Sequence, residues 1–113
     1  MASSPNDAKR LITKYLSLLR DHVEKQISNR FEGRGIDSRD IAREYMITVP
    51  AVWPELAQEA TRICAKEAGM ACSVPVEIMT EPEAAGIYAL RHMSCEEGLG
   101  VDDTFVICDA GGG

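Results

Sequence analysis

From residue 5 onward the apolar positions keep helical spacing. Ala8, Leu11, Ile12, Tyr15, Leu16, Leu19, Val23 and Ile27 recur at intervals of three and four, with charged residues between them. Ser4-Pro5-Asn6-Asp7 supplies a cap, a proline at the first helical position and an acid three residues after the cap. The pattern predicts an amphipathic helix with its apolar stripe inward and its charges outward. "NRFEGRGIDSRD" interrupts it with two glycines and mixed charge, and predicts a mobile connection. From Glu44 the period changes, and "EYMITVPA" predicts a short apolar strand ended by Pro50, which cannot continue a ladder. A second helix follows, with Pro54 near its first turn. Its stripe is Leu56, Ala57, Ala60, Ile63, Cys64 and Ala68, and Gly69 stands where a left-handed stop belongs. Val74, Val76 and Ile78 alternate in a second strand, with Pro75 near its start or on an edge. Thr80-Glu81-Pro82-Glu83 repeats the capping pattern and opens a helix through "EAAGIYALRHM". After the polar loop "SCEEGLGVDD", "TFVIC" predicts a third strand. The order after the first helix is β-α-β-α-β, an α/β arrangement with mostly parallel strands.

The chain of 113 residues suffices for one modest domain or part of one. With 45% hydrophobic and 27% charged residues its composition is that of a folding chain, not a disordered one. The net charge of −6 argues against nucleic acid or an anionic membrane as partner, since no clustered basic surface is present to release counterions. Four cysteines, Cys64, Cys72, Cys95 and Cys108, occur without a C-x-x-C pair and with only two histidines, which makes a zinc site unexpected. Cys64 on a helical apolar face and Cys108 in an apolar strand read as buried reduced thiols. No segment has the character of a signal peptide or the length of a membrane span, so a cytoplasmic protein is expected.

The chemistry gathers where the strands end. In open α/β sheets, ligands bind beyond the carboxyl ends of the strands, where loops and helix N-termini converge. Three such ends are unusual here: Thr48-Val49-Pro50-Ala51, Thr80-Glu81-Pro82-Glu83-Ala84-Ala85-Gly86 and Asp109-Ala110-Gly111-Gly112-Gly113. Glycines without Cβ let backbone N–H groups close on phosphate oxygens, and an aspartate just before them can hold Mg²⁺ directly or through water. Glu81 can orient a water for attack on a terminal phosphoryl group. Taken singly, a carboxylate at a helix start is a charge–dipole contact and three glycines are a tail.

In this order, "YMITVPAVWPELAQEATRICAKEAGM", "VEIMTEPEAAG" and "TFVICDAGGG" resemble the nucleotide-binding domain of the seventy-kilodalton heat-shock chaperones, within the actin-like ATPase superfamily. "LITKYLSLLRDHVEKQI" is more similar to the divergent heat-shock-seventy-like proteins of the twelve-A/B type. The resemblance implies a partial actin-like, ribonuclease-H-like domain over residues 1–113, made of the end of the first lobe plus the first strand and phosphate loop of the second. It implies ATP or ADP and Mg²⁺ as ligands in a full-length setting, with unfolded clients or co-chaperones as partners. Glu81 then matches the catalytic glutamate of an E-P-x-A-A motif. Asp109 matches the metal-side aspartate, and Gly111, Gly112 and Gly113 the phosphate loop. Pro50 matches a switch proline between nucleotide state and substrate-domain docking. Gln58 stands where the family has that proline's arginine partner. The first phosphate loop, the catalytic lysine, the adenosine segment and the peptide-binding domain have no counterpart, so no turnover is expected from this chain alone.

Other readings of the same residues are a protein-interaction module or a truncated gene product, in which Glu81 only caps a helix and the glycines are a tail. "DAGGG" as part of a dinucleotide fingerprint would need G-x-G-x-x-G opening a helix inside a βαβ unit, and no helix is predicted after it.

Overall fold

The computed structural model describes residues 4–93 and 98–111. The elements are α1 (Pro5–Glu32), a 3-10 turn (Ser38–Asp40), β1 (Met46–Val49), α2 (Glu55–Glu67), β2 (Glu77–Thr80) and α3 (Glu81–His92). β1 and β2 pair in parallel, Met46 opposite Glu77 and Val49 opposite Thr80, and α2 makes the crossover that parallel neighbours require. This is a mixed α/β arrangement, compatible with part of an actin-like domain.

The helix boundaries follow from local chemistry. Ser4 caps α1 by accepting from the Asp7 N–H, with Pro5 in the first turn. α2 ends in a Schellman motif: Gly69 N–H donates to Lys66 O at 3.0 Å and Met70 N–H to Ala65 O at 3.0 Å. Ala65 and Met70 also meet in the core, the hydrophobic contact that accompanies this motif. Gly69 has φ +85°, and a Cβ there would fall on the Arg20 guanidinium. Arg20 meanwhile donates to Gly69 O at 3.5 Å. At α3 the capping box is complete, with Glu83 N–H donating to Thr80 Oγ1 and Thr80 N–H to Glu83 Oε2. The Thr80 N–H, and after it the Thr80 hydroxyl donating to the same Glu83 Oε2 at 2.8 Å, draw the Glu83 carboxyl below its usual range.

The core is small: Val49, Cys64, Ala65, Ala68, Met70 and Val76 are the buried apolar residues, with Leu16, Tyr45, Ile47 and Ala71 packed against them. A Cα radius of gyration of 17.8 Å exceeds the roughly 13 Å of a compact domain of this length.

Three expectations are corrected. First, α1 does not turn its apolar stripe inward. It contains no fully buried residue, and Leu11, Ile12, Tyr15, Leu19 and Val23 are all exposed. From Thr13 on, the half-buried positions are Thr13, Leu16, Ser17, Arg20, Glu24, Ile27, Ser28 and Phe31, a face turned by about a third of a turn from the centre of the stripe and sharing Leu16 and Ile27 with it. Polar ties hold that side in place. Arg20 reaches the end of α2, and the Cys64 thiol lies 3.6 Å from Lys9 O. The Arg43 guanidinium donates to Glu24, and Tyr45 Oη donates to Glu24 Oε1 at 2.7 Å. Leu56 and Ile63 of α2 are likewise exposed. Second, "TFVIC" forms no strand: among the described residues the sheet has two strands only. An extended segment of high β-propensity still needs a neighbouring edge to pair with, and this one lies on α3 instead. Cys108 is exposed as a result, as is Cys72, whereas Cys64 is buried as expected. Cys95 lies outside the described residues. Third, "NRFEGRGIDSRD" is largely structured. α1 continues to Glu32, Gly35 (φ +71°) turns the chain, and Asp37 caps the 3-10 turn.

Gly69→Ala should destabilise the fold by about 1–2 kcal/mol, because the left-handed backbone and the Arg20 contact both oppose a Cβ. Urea unfolding followed through Trp53 fluorescence would measure it.

The Glu24 cluster sets a pH window. The Tyr45 hydrogen bond and then Arg43 hold the Glu24 carboxyl below its ordinary value. Its contribution is therefore complete above about pH 5 and is lost as pH falls through the lowered folded-state pKa. Burial, then the bond to Glu24, pushes the Tyr45 phenol up to about 12. That contribution is complete below about pH 10 and is lost as pH rises toward 12. In Tyr45→Phe the alkaline loss should shrink and the acid limb should move to higher pH, read as unfolding midpoints across the pH range.

Candidate functional site at the carboxyl edge of the sheet

The register brings two of the expected residues to one edge. Val49 opposes Thr80 in parallel strands, so Pro50 and Glu81 are the next residues out of the same end of the sheet. After Pro50 the chain makes a tight turn, Trp53 N–H donating to Pro50 O at 3.1 Å, before α2 begins. Gln58 Nε2 closes this loop from within α2 by donating to Trp53 O at 3.2 Å.

Glu81 is the first residue of α3 and is exposed. Its neighbour Glu83 is committed to the capping box, and among the described residues nothing pairs with the Glu81 carboxylate. A carboxylate beside the positive end of a helix can accept a hydrogen bond from water.

Asp109 arrives from a different direction. Residues 104–110 run without secondary structure, and the segment is seated on α3 through Phe105 and Ile107. Gly86 makes the seat. It is buried, and a Cβ there would stand 2.8 Å from Ile107 Cδ1 and 3.5 Å from Phe105 Cε2. Pro82, Ile87 and Leu90 line the rest of this groove of about 540 Å³. Asp109 is exposed two residues beyond Ile107, and its Oδ1 lies 3.4 Å from where a Gly111 Cβ would be. Gly112 and Gly113 lie outside the described residues.

The structure thus sets Pro50 and Glu81 side by side and anchors the Asp109 segment on the helix that Glu81 opens. No cluster of three or more His, Cys, Asp or Glu side chains that could hold a metal exists among the described residues. The donor chemistry fits Mg²⁺ held the way nucleotide sites hold it, by one or two carboxylates with water and phosphate oxygens completing the shell. Asp109 and Glu81 are unpaired carboxylates of that kind. No helix among the described residues is long and apolar enough to cross a membrane.

The Gly86 notch and the Gln58 tie were missed in the sequence reading. Gly86 had a faint signal, a glycine inside a helical pattern. Gln58 had none, since its partner is a backbone carbonyl.

Two curated chaperones match part of this sequence. The chain is 33% identical over 99 residues to "Chaperone protein HscA homolog" of Acinetobacter baumannii (strain SDF), an alignment covering 87% of this chain and 13% of the relative. It is 34% identical over 79 residues to "Heat shock 70 kDa protein 12A" of Mus musculus, covering 67% of this chain and 11% of that protein. The chain therefore spans a small part of the length of the curated relatives it matches. No protein-family model and no solved structure matches it. The relation to the heat-shock-seventy chaperones is distant and partial.

Gly86→Leu should unseat residues 104–108, because the larger side chain takes the space of Ile107. Hydrogen exchange of those amides should speed up by at least about tenfold, while β1 and α2 stay protected.

Proposed function

We propose that the chain is part of the nucleotide-binding domain of a cytoplasmic heat-shock-seventy-type chaperone, serving ATP binding and slow hydrolysis within a longer protein. The observation that supports the reading is the parallel register, from which Pro50 and the unpaired Glu81 leave the same end of the sheet, together with the partial identity to the two chaperone relatives. In this reading residues 1–113 comprise the end of the first lobe with the first strand and phosphate loop of the second. Glu81 orients the attacking water, its carboxylate accepting the water's hydrogen bond. Asp109 is the metal-side carboxylate, and Gly111 to Gly113 offer N–H groups to phosphate oxygens. Mg²⁺, when bound, neutralises charge on the phosphates. Pro50 couples the β1–α2 loop to nucleotide state, with Gln58 holding that loop in place of an arginine. Clients and co-chaperones are partners of the longer protein. Alone, the chain lacks the opposing groups that align nucleophile and leaving oxygen, and it turns over no ATP measurably.

Calorimetric titration of the folded chain with Mg-ATP and Mg-ADP, with Trp53 fluorescence in parallel, tests this. Weak saturable binding is expected. Asp109→Ala should weaken it at least about tenfold, and Glu81→Gln should leave affinity within about threefold, since its role lies in the chemical step. No binding at millimolar nucleotide by folded protein would overturn the reading.

A further inference from the structure

The apolar side of α1 faces away from the rest of the chain. Leu11, Tyr15 and Leu18 are 58%, 65% and 56% exposed, and Ile12 and Leu19 beside them are also exposed. Leu11, Tyr15 and Leu18 stand at i, i+4 and i+7, the spacing of a seam that meets another helix. A helix anchored along one face, Leu16 included, and bare along Leu11, Tyr15 and Leu18 is an unfinished interface.

The charges beside the seam say what covers it. Lys14 and Asp21 lie one heptad apart along the same flank, and Ile12 and Leu19 occupy the other. If a second α1 runs antiparallel, crossing midway between Tyr15 and Leu18, each Tyr15 packs beside the other copy's Leu18. Each Lys14 then lies opposite the other copy's Asp21. Two-fold symmetry makes the ionic pair twice, and Ile12 meets Leu19 on the far flank. A parallel pairing would set Lys14 against Leu19 and Asp21 against Gln26, with no ionic pair. Both charges are available for this. Arg20 engages Asp21 through Oδ1 alone, leaving Oδ2, and Lys14 forms no ion pair among the described residues.

We infer that α1 is the interface of a symmetric dimer, in which a second copy of this chain lays its own α1 antiparallel along Leu11, Tyr15 and Leu18. This does not rest on nucleotide binding. The interface uses only exposed residues of α1, so the core and the carboxyl edge of the sheet are untouched by it.

Analytical ultracentrifugation of the whole chain, from micromolar to near-millimolar concentration, tests the inference. A concentration-dependent monomer–dimer equilibrium is expected. Leu18→Glu should be monomeric throughout while keeping the wild-type far-ultraviolet circular dichroism. Lys14→Glu and Asp21→Lys should each weaken self-association by about tenfold, since each homodimer then opposes like charges twice. Mixing these two variants should restore association to within about threefold of wild type, because the heterodimer regains both opposite-charge pairs. A wild-type chain that stays monomeric would overturn the inference. Charge variants that dimerise like wild type, or a mixture no better than its parts, would overturn the antiparallel register.

Discussion

One pairing of two four-residue strands sets which residues leave the sheet together at its carboxyl edge. Parallel neighbours cannot be joined by a tight turn, so β1 and β2 meet only because α2 carries the chain back and stops where it must. The stop is the left-handed Gly69, and the backbone bonds of Gly69 and Met70 bring the chain off α2 and into the core. The register then decides which residues leave the sheet together. A slip by one residue would turn Val49, now buried, to the other face and would separate Pro50 from Glu81.

The attachment of α1 inverts the usual division of labour between apolar and polar residues. Besides Leu16 against the core, its contacts with the body are a guanidinium on a carbonyl, a thiol near a carbonyl, and a carboxylate shared by Arg43 and Tyr45. Such bonds fix direction well, but each adds little net stability, since water would have bonded the same groups. The apolar side of the helix retains its full capacity for association. With a core of few residues and an extended shape, the chain has more adhesive surface than its own fold covers.

What was legible in the sequence was what neighbouring residues decide. The Ser4 cap, the Thr80–Glu83 box and the Gly69 stop each depend on residues within five positions, and each was read correctly. The periodicity of α1 gave its apolar face but not its orientation. That was set by contacts from Arg20 to Gly69, 49 residues on, and from Glu24 to Arg43 and Tyr45, 19 and 21 residues on. Residues 104–108 show the same limit: propensity marked an extended segment, but pairing needs an edge, and the Gly86 notch took the segment instead. For the proposed site, the order of the strand ends was legible in the sequence, and the register shows that Pro50 and Glu81 leave the same end of the sheet. The seat of the Asp109 segment was not, because a notch is the absence of a side chain.

The thiol of Cys64 gives the α1–α2 contact a chemical dimension. It is buried while Cys72 and Cys108 are exposed, and it donates to a carbonyl of the helix that covers it. Whatever lifts α1 away, even briefly, converts a sheltered hydrophobe into a solvent-accessible nucleophile and takes a weak donor from Lys9 O. Exposure of Cys64 is therefore tied to the undocking of α1, and the docking of that helix is recorded in the reactivity of one sulfur atom.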